Sequence, residues 1–459
     1  MLKHGQYGAL EDGDGVPPSG PVEQFATRRS EVLGKVVRAV ALGALCVLLG
    51  FAAVFVDSAA NGGRLFGAGS SKASTTTRLD SVATIGMSYS TLSDEEQTAL
   101  FADFVTKYGK TYAADSDEYN TRLSNFKVTL QVIDERNQAE ASVLGEGVHG
   151  VTKFADLTQD EFESMYLLEF YEEDEYAGTD ADRKLRVAKR RAEASSGQRA
   201  LQQAAADKRR QRRQRALQED VTSTATSSYV DWSTSLTTPV NDQGTGCRGA
   251  SWAFTAVQQI ESDAVRKGYL TTSDALSVQQ LLDCNTGSNG CTSGSLESAY
   301  DYSSKSNSGL LHWASQYPYI NAETGECASS DSDFATTLGS YATVTKYHNE
   351  EYGYSTTQVE ANMLAHLAAT GTLSACMDGS IWNTYVSGAL SSCTGSTINA
   401  CVQIVGVYYD PVSDSGYYKL RNSWGTDFGE SGYLRLEHGV NACNLVYNPG
   451  YTDPAAALA

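Results

Sequence analysis

The sequence predicts an α+β protein: a small helical domain, a charged linker, and a larger domain that is helical in its first half and strand-rich in its second. Three patterns carry that prediction. Upstream, Phe101, Phe104, Val105 and Tyr108 recur at i, i+3, i+4 and i+7, one face of an amphipathic helix. After Ser251 a second apolar stripe, Trp252, Val257, Ile260, Ala264 and Val265, predicts a helix through Lys267. Beyond Val344 the pattern becomes short alternating runs at 402–409, 416–421 and 433–437, which read as strands.

From the N-terminus, residues 1–38 form a leader ending in Arg28, Arg29, Lys35 and Arg38. Residues 39–56 are an unbroken apolar run, long enough at about 1.5 Å per residue for a thin bilayer. The flanking charges place the leader in the cytosol and everything later in a lumen, as in a type II signal anchor. A cleavable signal ending near Ser58-Ala59-Ala60 is the competing expectation. Residues 57–90 are rich in small polar residues and read as a spacer. Ser93 or Asp94 then caps the first helix of a domain spanning 91–168. In its second helix Glu118, Arg122, Phe126, Ile133 and Asn137 keep near one stripe, so charged pairs and core residues alternate along it.

Residues 169–226 form a low-complexity linker with an acidic cluster at 172–175 and basic runs at 189–191 and 208–215. Such a segment is solvated and open to basic-specific processing proteases. The large domain, 227–452 before a tail at 453–459, is acidic, with 22 Asp and Glu against 8 Lys and Arg from Ser227 onwards. That balance and the lumenal placement exclude nucleic acid as a partner. Of the nine cysteines, Cys46 lies in the apolar run and eight fall in the large domain, an even number that suggests disulfides and an oxidising compartment.

The motifs of the large domain are specific. Gln243-Gly-Thr-Gly-Cys247-Arg-Gly-Ala-Ser251-Trp252-Ala-Phe254, Asn399-Ala400-Cys401-Val402-Gln403-Ile404-Val405-Gly406 and Asn422-Ser423-Trp424-Gly425 occur in that order. Together they resemble the nucleophile loop, the base-bearing strand and the imidazole-orienting segment of papain-like cysteine proteases. Gly150, Thr152, Phe154 and Asp156, with the upstream helical series, resemble the inhibitory propeptide of cathepsin-type precursors, with Thr129 and Thr152 where that pattern has Asn. The resemblance runs almost continuously over 229–451 and implies a two-lobed papain-like fold, a helical lobe plus a strand-rich barrel-like lobe, behind a small helical propeptide domain. It implies the pairings Cys247–Cys291, Cys284–Cys327 and Cys393–Cys443, and peptide contacts at Trp252, Ser293, Gly294, Cys376, Cys401 and Trp424. No metal or cofactor is expected.

At the two reacting positions, however, the resemblance meets Ser251 in place of the nucleophilic cysteine and Ala400 in place of the histidine. A thiolate forms near neutral pH beside a helix N-terminus and an imidazolium, whereas a serine hydroxyl needs a base that a methyl group cannot supply. Gln243, the oxyanion donor, and Asn422, the orienting residue, would remain without a reaction to serve. The expectation is a pseudoprotease that binds a peptide or protein ligand in its cleft, or an active papain-like protease through its propeptide. The alternatives are a working peptidase using Ser251 or the Cys401 thiol, and a structural or adhesive surface protein. Three further departures stand out. One extra residue separates Cys247 from Ser251, so the oxyanion loop is displaced. Ser293 adds a side chain where peptide backbone would approach. Cys376 and Cys401 have no family counterpart, and are either buried free thiols or a fourth disulfide.

Overall fold

The computed structural model describes residues 88–142, 145–169, 210, 228–306, 310–328, 334–343, 355–393, 397–411, 413 and 415–455. The apolar run at 39–56, almost all of the linker, Cys46, His4 and His348 lie outside them. Among the described residues no helix is long and apolar enough to cross a membrane.

The N-terminal domain opens with a single 3₁₀ turn, Tyr89–Thr91. Helix α1 (Asp94–Lys107) starts at a reciprocal cap: Ser93 Oγ accepts from the Glu96 N–H while Glu96 accepts from the Ser93 N–H. Of the two cap candidates, Ser93 is therefore the one used. Helix α2 (Asp117–Ser142) closes a core of Leu100, Phe101, Phe104, Phe126, Leu130 and Ile133 with it, the faces that the 3.6-residue period foretells. A two-residue strand β1 (Val148–His149) and helix α3 (Gln159–Tyr166), capped in the same reciprocal way by Thr158 and Glu161, follow. Ion pairs Lys110–Asp156 and Arg122–Glu161, both 2.9 Å, bind the first two helices to the β1–α3 connection and to α3 itself.

In the C-terminal domain β2 (Ser228–Asp231) leads to the central helix α4 (Ser251–Arg266), one residue shorter than the apolar stripe suggests. Then come α5 (Val278–Cys284), α6 (Leu296–Asp301) and β3 (Leu311–His312). The second half holds β4 (Phe334–Thr343), α7 (Thr356–Ala369), β5 (Leu373–Met377), β6 (Tyr385–Ser387) and β7 (Ala389–Leu390). It ends in β8 (Ala400–Asp410), β9 (Ser415–Arg421), β10 (Tyr433–Glu437) and β11 (Gly450–Ala455). The nine-stranded sheet runs β3-β4-β11-β5-β8-β9-β10-β7, with β2 added to β8. Strand β11 pairs with β4 as far as Ala455↔Thr337, so the expected tail at 453–459 begins inside the sheet.

Helix α4 lies against β5, β8 and β11. It covers one face of β8, so the residues from Ala400 through Val407 are all buried, Gln403 included, rather than alternating as the sequence pattern suggests. Several polar groups on α4 find buried partners, although Thr255 Oγ1 and Gln258 Oε1 have none among the described residues. Gln258 Nε2 donates to Asn241 Oδ1 (3.0 Å), and Glu261 accepts from Thr238 Oγ1 (2.6 Å) and the Leu276 N–H (2.8 Å). Burial pushes the Glu261 carboxyl above its ordinary range. Two cores result: a helical one around Trp252, Ile260 and Leu281, and a strand-rich one around Trp382, Val402, Leu420 and Leu434.

Candidate functional site

Ser251 is the first residue of α4, where backbone N–H groups lack helical partners and the macrodipole is positive. Ala250 caps the helix without a side-chain hydrogen bond. Ser251 is 1% exposed, and its Oγ accepts from the backbone N–H of Cys401 at 3.2 Å. Cys401 follows Ala400, the first residue of β8, so the structure brings the start of α4 and the start of β8 together. The Ser251 hydroxyl meets a backbone N–H there, while the Ala400 side chain belongs to the strand-rich core with Leu167 and Trp382. The four described histidines are placed elsewhere. His149 bonds Thr384 Oγ1 through Nδ1 (2.8 Å), His312 lies on β3, His366 stacks on Tyr451, and His438 lies against Tyr409 and Tyr418.

Gln243 does not face an open oxyanion position. Its Nε2 donates to the carbonyls of Arg248 (2.7 Å) and Tyr166 (3.2 Å), and its Oε1 is buried without a partner among the described residues. The Arg248 carbonyl belongs to the segment lengthened by one residue. That segment is held by Asn321 Oδ1, which accepts from the Gly246 and Cys247 N–H groups (3.0 and 3.1 Å), and by the Gly249 N–H on Cys291 O (2.7 Å). Asn422 Oδ1 accepts from the N–H of Ser423 (2.8 Å), while its Nδ2 is buried without a partner among the described residues. The orienting amide has thus turned onto its own backbone.

Ser293 is tied to Asn289: its Oγ accepts from Asn289 Nδ2 (3.2 Å), and its carbonyl accepts from the Asn289 N–H (2.8 Å). The neighbouring Thr292 carbonyl is the group offered to the cleft. Gly294 lies hard against the Trp252 indole, whose Nε1 donates to Gly290 O (3.0 Å). Trp424 does not contact an open cleft either: its ring sits among Phe154, Phe162 and Tyr166 of the N-terminal domain, with centroids 5.5–5.8 Å away, and Trp382 and Phe428.

All eight described cysteines are bridged: Cys247–Cys291, Cys284–Cys327, Cys393–Cys443 and Cys376–Cys401. Cys376 on β5 stands directly opposite Cys401 on β8. Their backbone N–H groups point to Asn448 Oδ1 and Ser251 Oγ, not to each other, so they form a non-hydrogen-bonded pair with closely approaching side chains. Their Cα atoms are 3.9 Å apart. The bridge is buried in the helical core, and Cys401 offers no free thiol beside Ser251.

The N-terminal domain fills the cleft. Val148 and His149 of β1 pair with Ser387 and Tyr385 of β6. Asn137 clamps that strand, donating to His149 O (2.9 Å) and accepting its N–H (2.8 Å). Arg136 reaches Asn383 Oδ1 (2.6 Å), Thr384 Oγ1 (2.7 Å) and Ile381 O (3.2 Å). Glu140 accepts from the N–H groups of Ser391 and Ser392 at 3.0 and 2.9 Å. Lys153 bonds Trp424 O (2.5 Å) and pairs with Asp427 (2.7 Å). The chain then passes α4: Leu168 N–H donates to Asn399 O (2.8 Å) and Glu169 N–H to Thr292 O (3.2 Å). Arg136, Glu140 and Lys153 carry this docking, and sequence reasoning did not single them out. The only hint was their position beside or one turn beyond the Ile133–Asn137 stripe and the Gly150–Asp156 motif.

Residues 226–452 match the papain family cysteine protease model, and residues 101–162 match the cathepsin propeptide inhibitor domain. Among curated proteins, cysteine proteinase B of Leishmania mexicana is 32% identical over 332 residues, 72% of this chain and 63% of that protein. Cysteine proteinase RD21A of Arabidopsis thaliana is 28% identical over 338 residues, 72% of this chain and 60% of that protein. The chain thus spans somewhat under two thirds of the length of these relatives. Among solved structures, digestive procathepsin L2 of the Tenebrio molitor midgut aligns with TM-score 0.56 and 22% identity, covering 78% of this chain and 99% of that one. Recombinant stem bromelain precursor aligns with TM-score 0.55 and 23% identity, covering 78% and 98%. These likenesses establish a shared fold: two lobes with a helical domain lying in the cleft between them. The chain belongs to the papain family of cysteine proteases and carries a cathepsin-type propeptide inhibitor domain ahead of the peptidase domain.

Proposed function

We propose that the peptidase domain carries out no thiol chemistry and works as a binding protein for peptides in its cleft. The observation that carries this reading is the pairing at the reacting positions: the Ser251 hydroxyl accepts a hydrogen bond from the Cys401 N–H, and Ala400 brings no base to it. A buried serine without a general base does not become a nucleophile, and in a serine protease losing one triad member alone costs up to about 10⁶-fold in turnover. Gln243 engaged by Arg248 O, Asn422 turned onto Ser423, and the Cys376–Cys401 bridge all support the same reading. The rival route through a Cys401 thiol lacks the free thiol it needs.

The family and the disulfide content are compatible with the secretory pathway. There we place the protein by a signal anchor at residues 39–56, with spacer, propeptide, linker and peptidase domain on the lumenal side. Cleavage in the basic run at 208–215 would let the propeptide leave and act on an active protease of the same family. The test is a thiol-directed epoxide probe and a serine-directed fluorophosphonate probe, each applied to the chain before and after tryptic nicking of that run. No adduct is expected anywhere in 228–455; labelling at Ser251 would overturn the proposal.

A further inference from the structure

The loss of the base leaves a space, and that space is filled. Leu167, just past α3, is 2% exposed and belongs to the strand-rich core together with Ala400, Trp382 and Met377. Gly379 locates it within that core. A Cβ built there would stand 2.8 Å from Ala400 Cβ, 3.2 Å from Trp382 Cε3 and 3.3 Å from Leu167 Cδ2. The three side chains therefore converge on one small apolar volume, whose size depends on residue 400 being no larger than alanine. Leu168 turns the other way and packs against the helical core that holds Cys376 and Cys401.

We infer that the vacated base position is a pocket for one large aliphatic side chain, and that the cleft recognises an extended peptide of the form aromatic-aliphatic-aliphatic-acidic. This inference rests on the non-cleaving reading above. The template is the chain's own segment 166–169, Tyr-Leu-Leu-Glu, and each residue has a partner. Gln243 Nε2 donates to the Tyr166 carbonyl (3.2 Å), and the Leu167 side chain fills the pocket. The Leu168 and Glu169 N–H groups donate to Asn399 O (2.8 Å) and Thr292 O (3.2 Å). The Glu169 carboxylate pairs with Arg248 at 2.7 Å. Backbone bonds fix direction and register, the two leucines provide apolar contact, and the exposed rim ion pair adds only a weak preference for an acidic residue. Arg248 lies in the lengthened segment, so the change that occupies Gln243 also supplies the charge. A histidine at 400 would fill the pocket, so hydrolysis and this mode of recognition exclude each other in one site.

In the intact chain the segment 166–169 holds the site, so the test opens it. Full-length protein carrying Arg136→Ala, Glu140→Ala and Lys153→Ala, which releases the docked domain, is titrated with fluorescent Tyr-Leu-Leu-Glu-Phe, alongside wild type. The opened variant binds the peptide and wild type does not. Glycine at the first leucine of the peptide weakens binding roughly 10- to 100-fold, as expected for losing one buried aliphatic side chain. Adding Ala400→Leu to the opened variant has the same effect. Absence of binding, or binding indifferent to residue 400, overturns the inference. If the opened variant does not fold, hydrogen exchange at Leu168 and Glu169 decides: Ala400→Leu in an otherwise wild-type chain speeds it at least tenfold, and unchanged exchange overturns the pocket. Mass analysis of the recovered peptide separates the two claims, because a cleaved peptide refutes the non-cleaving reading, whereas its dependence on residue 400 bears on the pocket alone.

Discussion

His149→Gln converts the docking of the propeptide into a pH measurement. His149 is 3% exposed in β1, paired across to β6, and its Nδ1 meets Thr384 Oγ1 at 2.8 Å. Burial first, and then the Arg136 guanidinium, push its pKa from 6.5 down to about 3. The docked state therefore holds a neutral imidazole, and the undocked chain takes up a proton as pH falls through about 6.5. The stabilisation is fully present above that pH and is lost progressively toward pH 3. At pH 4.5, two units below the undocked value, about 2.7 kcal/mol has gone. Denaturant unfolding at pH 7.5, 6.5, 5.5 and 4.5 should show wild type losing its advantage over His149→Gln by about that amount. Carboxylates whose pKa the fold depresses, Asp134 and Asp231, are common to both proteins and cancel in the difference. A wild-type minus His149→Gln difference that stays flat over this range would refute the reasoning.

Two further outcomes follow from the cysteines and the reacting positions. Non-reducing peptide mapping should yield a Cys376–Cys401 cross-linked fragment, and replacing both by alanine should cost about 3.5 kcal/mol for a loop of 25 residues; alkylation of both in the native protein would remove the bridge from the account. Ser251→Cys with Ala400→His should label with a thiol-directed epoxide once the propeptide is displaced, more so when one residue between Cys247 and Ser251 is deleted to release Gln243 from Arg248 O. A folded variant that never labels would mean that the cleft itself has diverged.

Much of the fold was legible because its determinants are local or periodic. The stripes of α1, α2 and α4, the cap at Ser93, and the alternation in β9 and β10 each declare themselves within a dozen residues. The reacting positions were legible for another reason: the flanking motifs are long enough to fix where Ser251 and Ala400 fall. What the sequence concealed lies between distant segments. Arg136 finds Asn383 and Thr384 across 247 and 248 residues, and no pattern around Arg136 announces them. The extra residue after Cys247 was visible, but not that it would turn the Arg248 carbonyl onto Gln243. The position of Ser293 was legible, but not that the Asn289 amide would hold its hydroxyl.

The most direct measurement is hydrolysis of a mixed peptide library by the full chain nicked in its basic linker, compared with the same protein carrying Ser251→Ala. The account predicts that both leave the library intact, with no cleavage product that depends on residue 251. Turnover present in wild type and absent in Ser251→Ala would contradict it.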